Sequence, residues 1–206
     1  MVMINTIDKK VILIDDNGKD VIAGNQQWFK KFSHSISGCG PTTAALILMY
    51  MASIFPDKCR PVYPYDLPAK REEFVAFMDE VREYVKPGLQ GLTDAKFFGS
   101  STVEFAKSKG VNITAISVSS GYSVGVAYGY VKKAVDEGYL PALLILRNPA
   151  KELDEFTWHW MAITGYDDEK RTVFIATNGT EHELPFEKVW YQQKPYHAGC
   201  VYFYPN

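Results

Sequence analysis

One uninterrupted segment constrains the fold more than any other part of the sequence. Residues 39–54, CGPTTAALILMYMASI, contain no charged side chain and are apolar on nearly every side of a helix. Pro41 suits the first turn of a helix, where its missing N–H is no loss, so the segment predicts a helix that begins close to Cys39. Because a helix that is apolar all round must be buried, the rest of the chain is expected to surround it.

The part of the chain from residue 39 to about residue 138 has mainly helical patterns. Apolar residues recur at helical spacing over residues 69–86, and another helix is predicted for residues 123–137. Between them, Ser100 or Ser101 is suited to cap a short helix, because serine oxygens accept hydrogen bonds from the free N–H groups of a first turn. This part of the chain is therefore expected to be a helical layer.

The part from about residue 139 to residue 206 has a different character, with short β-prone segments between charged turns. A β-hairpin is also predicted over residues 10–24, where Asn17-Gly18 favours a tight turn. This segregation predicts an α+β fold in which the central buried helix and its neighbours pack against an antiparallel β-sheet. We expect residues 1–206 to form a single domain.

Composition argues against several classes of protein. The net charge of −2 and the scattered basic residues give no general attraction to nucleic acid or to an anionic membrane. No apolar segment reaches the roughly 18 residues of a membrane-spanning helix, and the first residues carry charges where a signal peptide is apolar. The three cysteines, Cys39, Cys59 and Cys200, form no CxxC pair, which argues against a disulfide framework or a structural zinc site. We therefore expect a cytoplasmic protein that inserts into no membrane.

Cys39 is the first candidate for chemistry. It stands between Gly38 and Gly40, which allow a tight turn and the close approach of a ligand. The free N–H groups and the dipole at a helix N-terminus favour a thiolate and can also hold a developing oxyanion. A free cysteine is also a common small core residue, and that interpretation stays open from the residues alone.

A thiol nucleophile needs a base, and His159 is the best placed of the four histidines. It lies in the predicted strand TWHWMAITGYD, where large neighbours would hold the imidazole. Asn178 ends the predicted strand RTVFIATN and could orient that base, although Asn178-Gly179 is also an ordinary turn sequence. His159 follows Cys39 by 120 residues, compared with about 130–150 residues in papain-type enzymes.

These motifs resemble those of the papain-like cysteine peptidases. The resemblance is strongest to the bacterial branch that contains the peptidases which remove bacteriocin leader peptides. The matching segments are NQQWF, SGCGPTTAALIL, HWMAITGYD and VFIATNG.

The resemblance implies a papain-like fold and a role for each matching residue. It makes Cys39 the nucleophile, His159 the base, Asn178 the orienting residue and Gln26 the oxyanion donor. Gln27 is the rival for the last role, since both glutamines occupy NQQW. The chain departs from the family pattern where many relatives have Asp-Pro in place of Asn178-Gly179.

The expected activity is therefore that of a thiol-dependent hydrolase, a peptidase acting on peptide or amide bonds through an acyl-thioester on Cys39. No metal or organic cofactor is required for this chemistry. Two alternatives stay open, namely an acyltransferase of the transglutaminase type that uses the same residues, and a non-catalytic binding module on a papain-like scaffold. The sequence predicts neither the substrate nor the oligomeric state.

Overall fold

The computed structural model describes residues 4–191 and 197–206. The predicted central helix is present and is buried from Gly40 to Ala52. The helices are α1 (Phe32–Ile36), α2 (Cys39–Ile54), α3 (Pro56–Cys59), α4 (Arg71–Arg82), α5 (Ala95–Ser108), α6 (Val124–Asp136) and α7 (Phe186–Val189). Short 3₁₀ helices occupy Lys9–Ile12, Gln26–Trp28, Arg60–Val62 and Lys151–Phe156.

The strands form two sheets. They are β1 (Ile4–Thr6), β2 (Leu13–Asp15), β3 (Asp20–Ile22), β4 (Ala69–Lys70), β5 (Ile113–Ser119), β6 (Ala142–Arg147), β7 (His159–Asp167), β8 (Thr172–Thr177), β9 (Thr180–Pro185) and β10 (His197–Pro205). The larger sheet has the order β5-β10-β6-β7-β8-β9, with β1 on β7, and its described pairs are antiparallel. The smaller sheet has the order β3-β2-β4.

Helices cover both faces of the larger sheet. Alternate residues of β7 point to opposite faces, as a strand requires: Trp160 and Ala162 belong to the core around α2, whereas Met161 and Ile163 belong to the core beneath α6 and α7. This burial on both faces explains why β7 is buried along its whole length. The structure confirms the predicted α+β class with an antiparallel sheet.

The topology brings the start of α2 to the start of β7. Helix α2 packs across β7, and β8 pairs with β7 in the register Ala162 with Ala176. Because the two strands are antiparallel, the beginning of β7 and the end of β8 lie side by side at the same end of the strands. Cys39, His159 and Asn178 are thus carried to one region by three elements that are far apart in sequence.

Two elements differ from the sequence-based expectation. Helix α5 begins at Ala95, before Ser100 and Ser101, because the Asp94 side chain accepts a hydrogen bond from the Phe97 N–H at 2.8 Å and supplies the cap. The helix predicted for residues 69–86 has its regular part only from Arg71 to Arg82.

A separate finding concerns membranes. In the part of the chain that the structure describes, no helix combines the length and the apolarity needed to cross a bilayer.

Candidate active site

Close packing explains the two glycines beside Cys39. A Cβ atom on Gly38 would lie 2.6 Å from the His34 carbonyl oxygen, and one on Gly40 would lie 2.7 Å from Leu92 Cδ2. The φ of Gly38 is −83°, which any residue adopts, so the expected tight turn is not what requires glycine there. Instead, the glycines let neighbouring segments approach the first turn of α2 on both sides of the thiol.

Cys39 is the first residue of α2 and is partly exposed. Its Sγ lies 4.0 Å from the carbonyl oxygen of Trp158, the residue that precedes His159. Burial raises the pKa of the Cys39 thiol above its ordinary value, while N–H groups of Trp160 and Gly40 and the charge of Arg82 act in the opposite direction with smaller effect. Desolvation therefore outweighs the helix N-terminus, and the resting thiol is protonated at neutral pH rather than being the thiolate that the sequence suggests.

His159 is the first residue of β7 and is 8% exposed. Its Nε2 lies 2.6 Å from the hydroxyl oxygen of Thr177. Burial lowers the pKa of His159 from 6.5 to about 4, so the imidazole is neutral at pH 7. A neutral imidazole has one nitrogen that carries a proton and one that can accept a proton.

The backbone just before His159 is unusual. Trp158 has a φ of +55°, in the left-handed region that bulky side chains seldom adopt. Its side chain is 45% exposed, and the Arg147 guanidinium carbon lies 5.4 Å from the centroid of the indole ring. Its carbonyl oxygen is the one that lies near the Cys39 Sγ. Strained residues of this kind cluster at functional sites, which agrees with the position of Trp158 between the two candidate groups.

The two glutamines of NQQW lie in different surroundings. Gln26 lines the same cleft as Cys39, and its Oε1 is buried without a hydrogen-bond partner among the described residues. Gln27 is exposed, and its backbone N–H donates to the Asn25 side chain. The structure therefore brings Gln26 and not Gln27 to the candidate nucleophile.

Asn178 lies at the margin of the cleft in the turn between β8 and β9. It is exposed and has a φ of +49°, and Gly179 follows with a φ of +85°. Within residues 4–191 and 197–206, the hydrogen-bond partner of the His159 ring is Thr177, and no hydrogen bond joins that ring to Asn178. Sequence reasoning missed Thr177, and its only signal is that it directly precedes Asn178 at the end of a predicted strand.

The candidate catalytic residues line one narrow cleft. It has a volume of only about 10 Å³, and its lining includes Gln26, Cys39, His159, Thr177 and Asn178. Thr42 from α2 also lines it, and the Thr42 hydroxyl is another buried oxygen without a partner in the described part of the chain. Buried polar atoms normally have partners, so two such atoms in one cleft indicate a place for water or for polar atoms of a ligand.

His34, the histidine nearest to Cys39 in the sequence, and the other two cysteines lie outside the cleft. His34 Nδ1 is 3.4 Å from an Asp79 carboxylate oxygen, and neither residue lines the cleft. Cys59 and Cys200 are fully buried, so they are core residues. Among the residues that the structure describes, no group of three or more His, Cys, Asp and Glu side chains is arranged to hold a metal ion.

The chain was compared with protein-family models, curated proteins and solved structures. The model of the Peptidase_C39-like family matches residues 19–197. No curated protein matches the chain. Among solved structures, the crystal structure of the Pseudomonas avirulence protein AvrPphB is similar at a TM-score of 0.36, with 12% identity, covering 82% of this chain and 91% of that chain.

The match of the family model extends over most of the sequence and includes Gln26, Cys39, His159 and Asn178. The class of protein is therefore that of the papain-like cysteine peptidases, as the motifs predict. Within that class, the chain belongs to the Peptidase_C39-like family.

Proposed function

We propose that this protein is a cysteine peptidase that cleaves peptide or amide bonds through an acyl-thioester on Cys39. The observation that carries the proposal is that Cys39, His159 and Gln26, which are distant in sequence, line one cleft. Membership of a peptidase family supports the reaction class. The proposed residues are Cys39 as nucleophile, His159 as base and Gln26 as oxyanion donor, with an orienting group at the end of β8, where the family pattern points to Asn178.

The reaction begins from a neutral pair, because burial keeps the thiol protonated and the imidazole unprotonated. His159 takes the thiol proton as the Cys39 sulfur forms a bond to the substrate carbonyl carbon. The C–N bond then breaks, and the leaving amine receives that proton from His159. Water, deprotonated by His159, attacks the acyl-thioester, and the thiolate leaves and recovers its proton.

Gln26 is suited to stabilise the negative charge that develops on the carbonyl oxygen. Rotation of its side-chain amide exchanges Oε1 and Nε2, so the buried unpartnered position can hold an N–H donor. Backbone N–H groups at the first turn of α2 are additional donors, because the first N–H groups of a helix have no partner within it. The negative charge on the substrate carbonyl oxygen would therefore be stabilised by hydrogen bonds from the Gln26 amide and from these backbone N–H groups.

The state of the cysteines bears on the cellular compartment in which the protein works. All three cysteines are free, as is usual in a reducing compartment. We propose a cytoplasmic location and a peptide or protein substrate.

The test begins with a peptide library, from which a cleaved sequence is selected with the wild-type protein. Cys39→Ala should abolish cleavage, whereas Cys59→Ala, which changes a buried cysteine outside the cleft, should retain it in the folded protein. Cleavage that persists in Cys39→Ala refutes the proposal. Product analysis with and without an added amine separates hydrolysis from acyl transfer, because an acyltransferase would attach the amine to the acyl fragment.

A further inference from the structure

We propose that Thr177 is the positioning residue of His159, and that it accepts a hydrogen bond from the Nε2–H of the imidazole. The inference rests on the proposed function, because it concerns the base of that reaction. The Thr177 hydroxyl oxygen and the His159 Nε2 are 2.6 Å apart, and each residue is 8% exposed. A buried hydrogen bond of this length fixes the direction in which the ring points.

Asn178 is explained by the turn in which it lies. Residues Asn178 and Gly179 both have positive φ, and they join Thr177 to Thr180, which are paired across β8 and β9. A two-residue hairpin turn with positive φ at both positions strongly favours Asn-Gly. The hairpin turn therefore accounts for Asn178 and Gly179, while the residue before them contacts the histidine.

This hydrogen bond decides which nitrogen of His159 is the base. If Nε2 carries the proton and donates it to Thr177, then Nδ1 has the free lone pair and is the nitrogen left to accept a proton in the proposed reaction. If the proton were on Nδ1 instead, the free lone pair would be on Nε2, which faces the Thr177 hydroxyl. The hydroxyl of Thr177 thus selects the productive tautomer, a role that a carboxylate or an amide has in other thiol and serine hydrolases.

The hydroxyl also differs from a carboxylate because it carries no charge. In the described part of the chain no carboxylate is hydrogen-bonded to His159, and burial is the cause of its lowered pKa. Thr177 thus orients the ring without favouring its protonated form. This is the arrangement expected for a base that is neutral before the substrate binds.

The experiment compares Thr177→Val, which keeps the shape and removes the hydroxyl, with Thr177→Ser, which keeps the hydroxyl. A matched control is Thr172→Val at the other end of β8, which removes a hydroxyl that donates to the exposed Glu183. Thr177→Val should lower kcat about tenfold with KM changed less than twofold, since one buried hydrogen bond is lost. Thr177→Ser and Thr172→Val should retain kcat within about threefold.

A second measurement needs no variant in the site. ¹⁵N NMR of the imidazole in the wild-type protein should show His159 as the Nε2–H tautomer at pH 7. The Nδ1–H tautomer would overturn the proposal, and so would equal losses of kcat in the Ser and Val variants. Thermal melts of all variants identify any loss of activity that is due to unfolding.

The inference and the proposed function fail separately. If Asn178→Ala lowers kcat tenfold while Thr177→Val does not, Asn178 orients the base, and the peptidase proposal stands. If Cys39→Ala keeps full cleavage, the peptidase proposal fails whatever the tautomer of His159.

Discussion

The burial of His159 predicts a specific dependence of stability on pH. Its pKa is about 4 in the folded protein and 6.5 when unfolded. Between these values the unfolded chain binds a proton that the folded chain does not, so the free energy of unfolding falls as the pH is lowered through this window. Integration over the window gives a loss of roughly 2 kcal/mol from pH 7 to pH 5 and roughly 3 kcal/mol by pH 4.

The perturbation that isolates this contribution is His159→Gln, which removes the titrating group and leaves the other ionisable side chains unchanged. Urea unfolding followed by tryptophan fluorescence gives the free energy of unfolding of both proteins at each pH. The wild-type protein should lose stability more steeply than the variant below about pH 6.5, and the two curves should become parallel again below about pH 4. The difference between the curves measures the free energy by which protonation of His159 stabilises the unfolded chain relative to the folded one.

Two results would refute this reasoning. Parallel curves between pH 7 and pH 4 would mean that the pKa of His159 is not lowered by folding. A His159 resonance that titrates above its ordinary pKa would indicate a preformed pair of thiolate and imidazolium. In that case the folded state would bind the extra proton, and the sign of the pH dependence would be reversed.

Three further predictions follow from contacts described above. Iodoacetamide at about pH 9 should alkylate Cys39 before the other two cysteines, which are fully buried; equal rates in the folded protein would contradict the partial exposure of Cys39. Arg82→Gln should shift the pH dependence of that alkylation to higher pH, because the charge of Arg82 lowers the pKa of Cys39, whereas Arg82→Lys should not. Gly165→Ala should lower the free energy of unfolding by about 1–3 kcal/mol in urea titrations, since a Cβ would lie 2.5 Å from the Asn5 carbonyl oxygen. Gly129→Ala is the matched control, because its Cβ would meet nothing within 4 Å, and an equal loss there would show that the clash is not the cause.

The sequence predicts those features that depend on local patterns. The helix from Cys39 to Ile54 follows from an uncharged apolar run with a proline in its first turn. The division into a mainly helical part and a mainly β part follows from a change in the spacing of apolar residues along the chain. The motifs around Cys39 and His159 predict two residues that the fold does bring to one cleft.

The remaining features depend on contacts between distant segments. No local pattern shows that β1 pairs with β7, or that Gly38 and Gly40 are kept small by neighbouring segments. The choice between Thr177 and Asn178 depends on which side chain at the end of β8 reaches His159. That direction is set by the turn geometry and by the approach of β7, neither of which a sequence motif contains.

The burial of α2 has a consequence for how the site moves. Its backbone is enclosed by side chains from Gly40 to Ala52, so its amide hydrogens should exchange with solvent only when the whole molecule opens. Gln26 lies in a short 3₁₀ segment, and Trp158 lies in an exposed stretch before β7, where local fluctuations suffice for exchange. The sulfur is therefore attached at the start of a slowly exchanging helix, and Gln26 and Trp158 can adjust to a substrate while that helix stays in place.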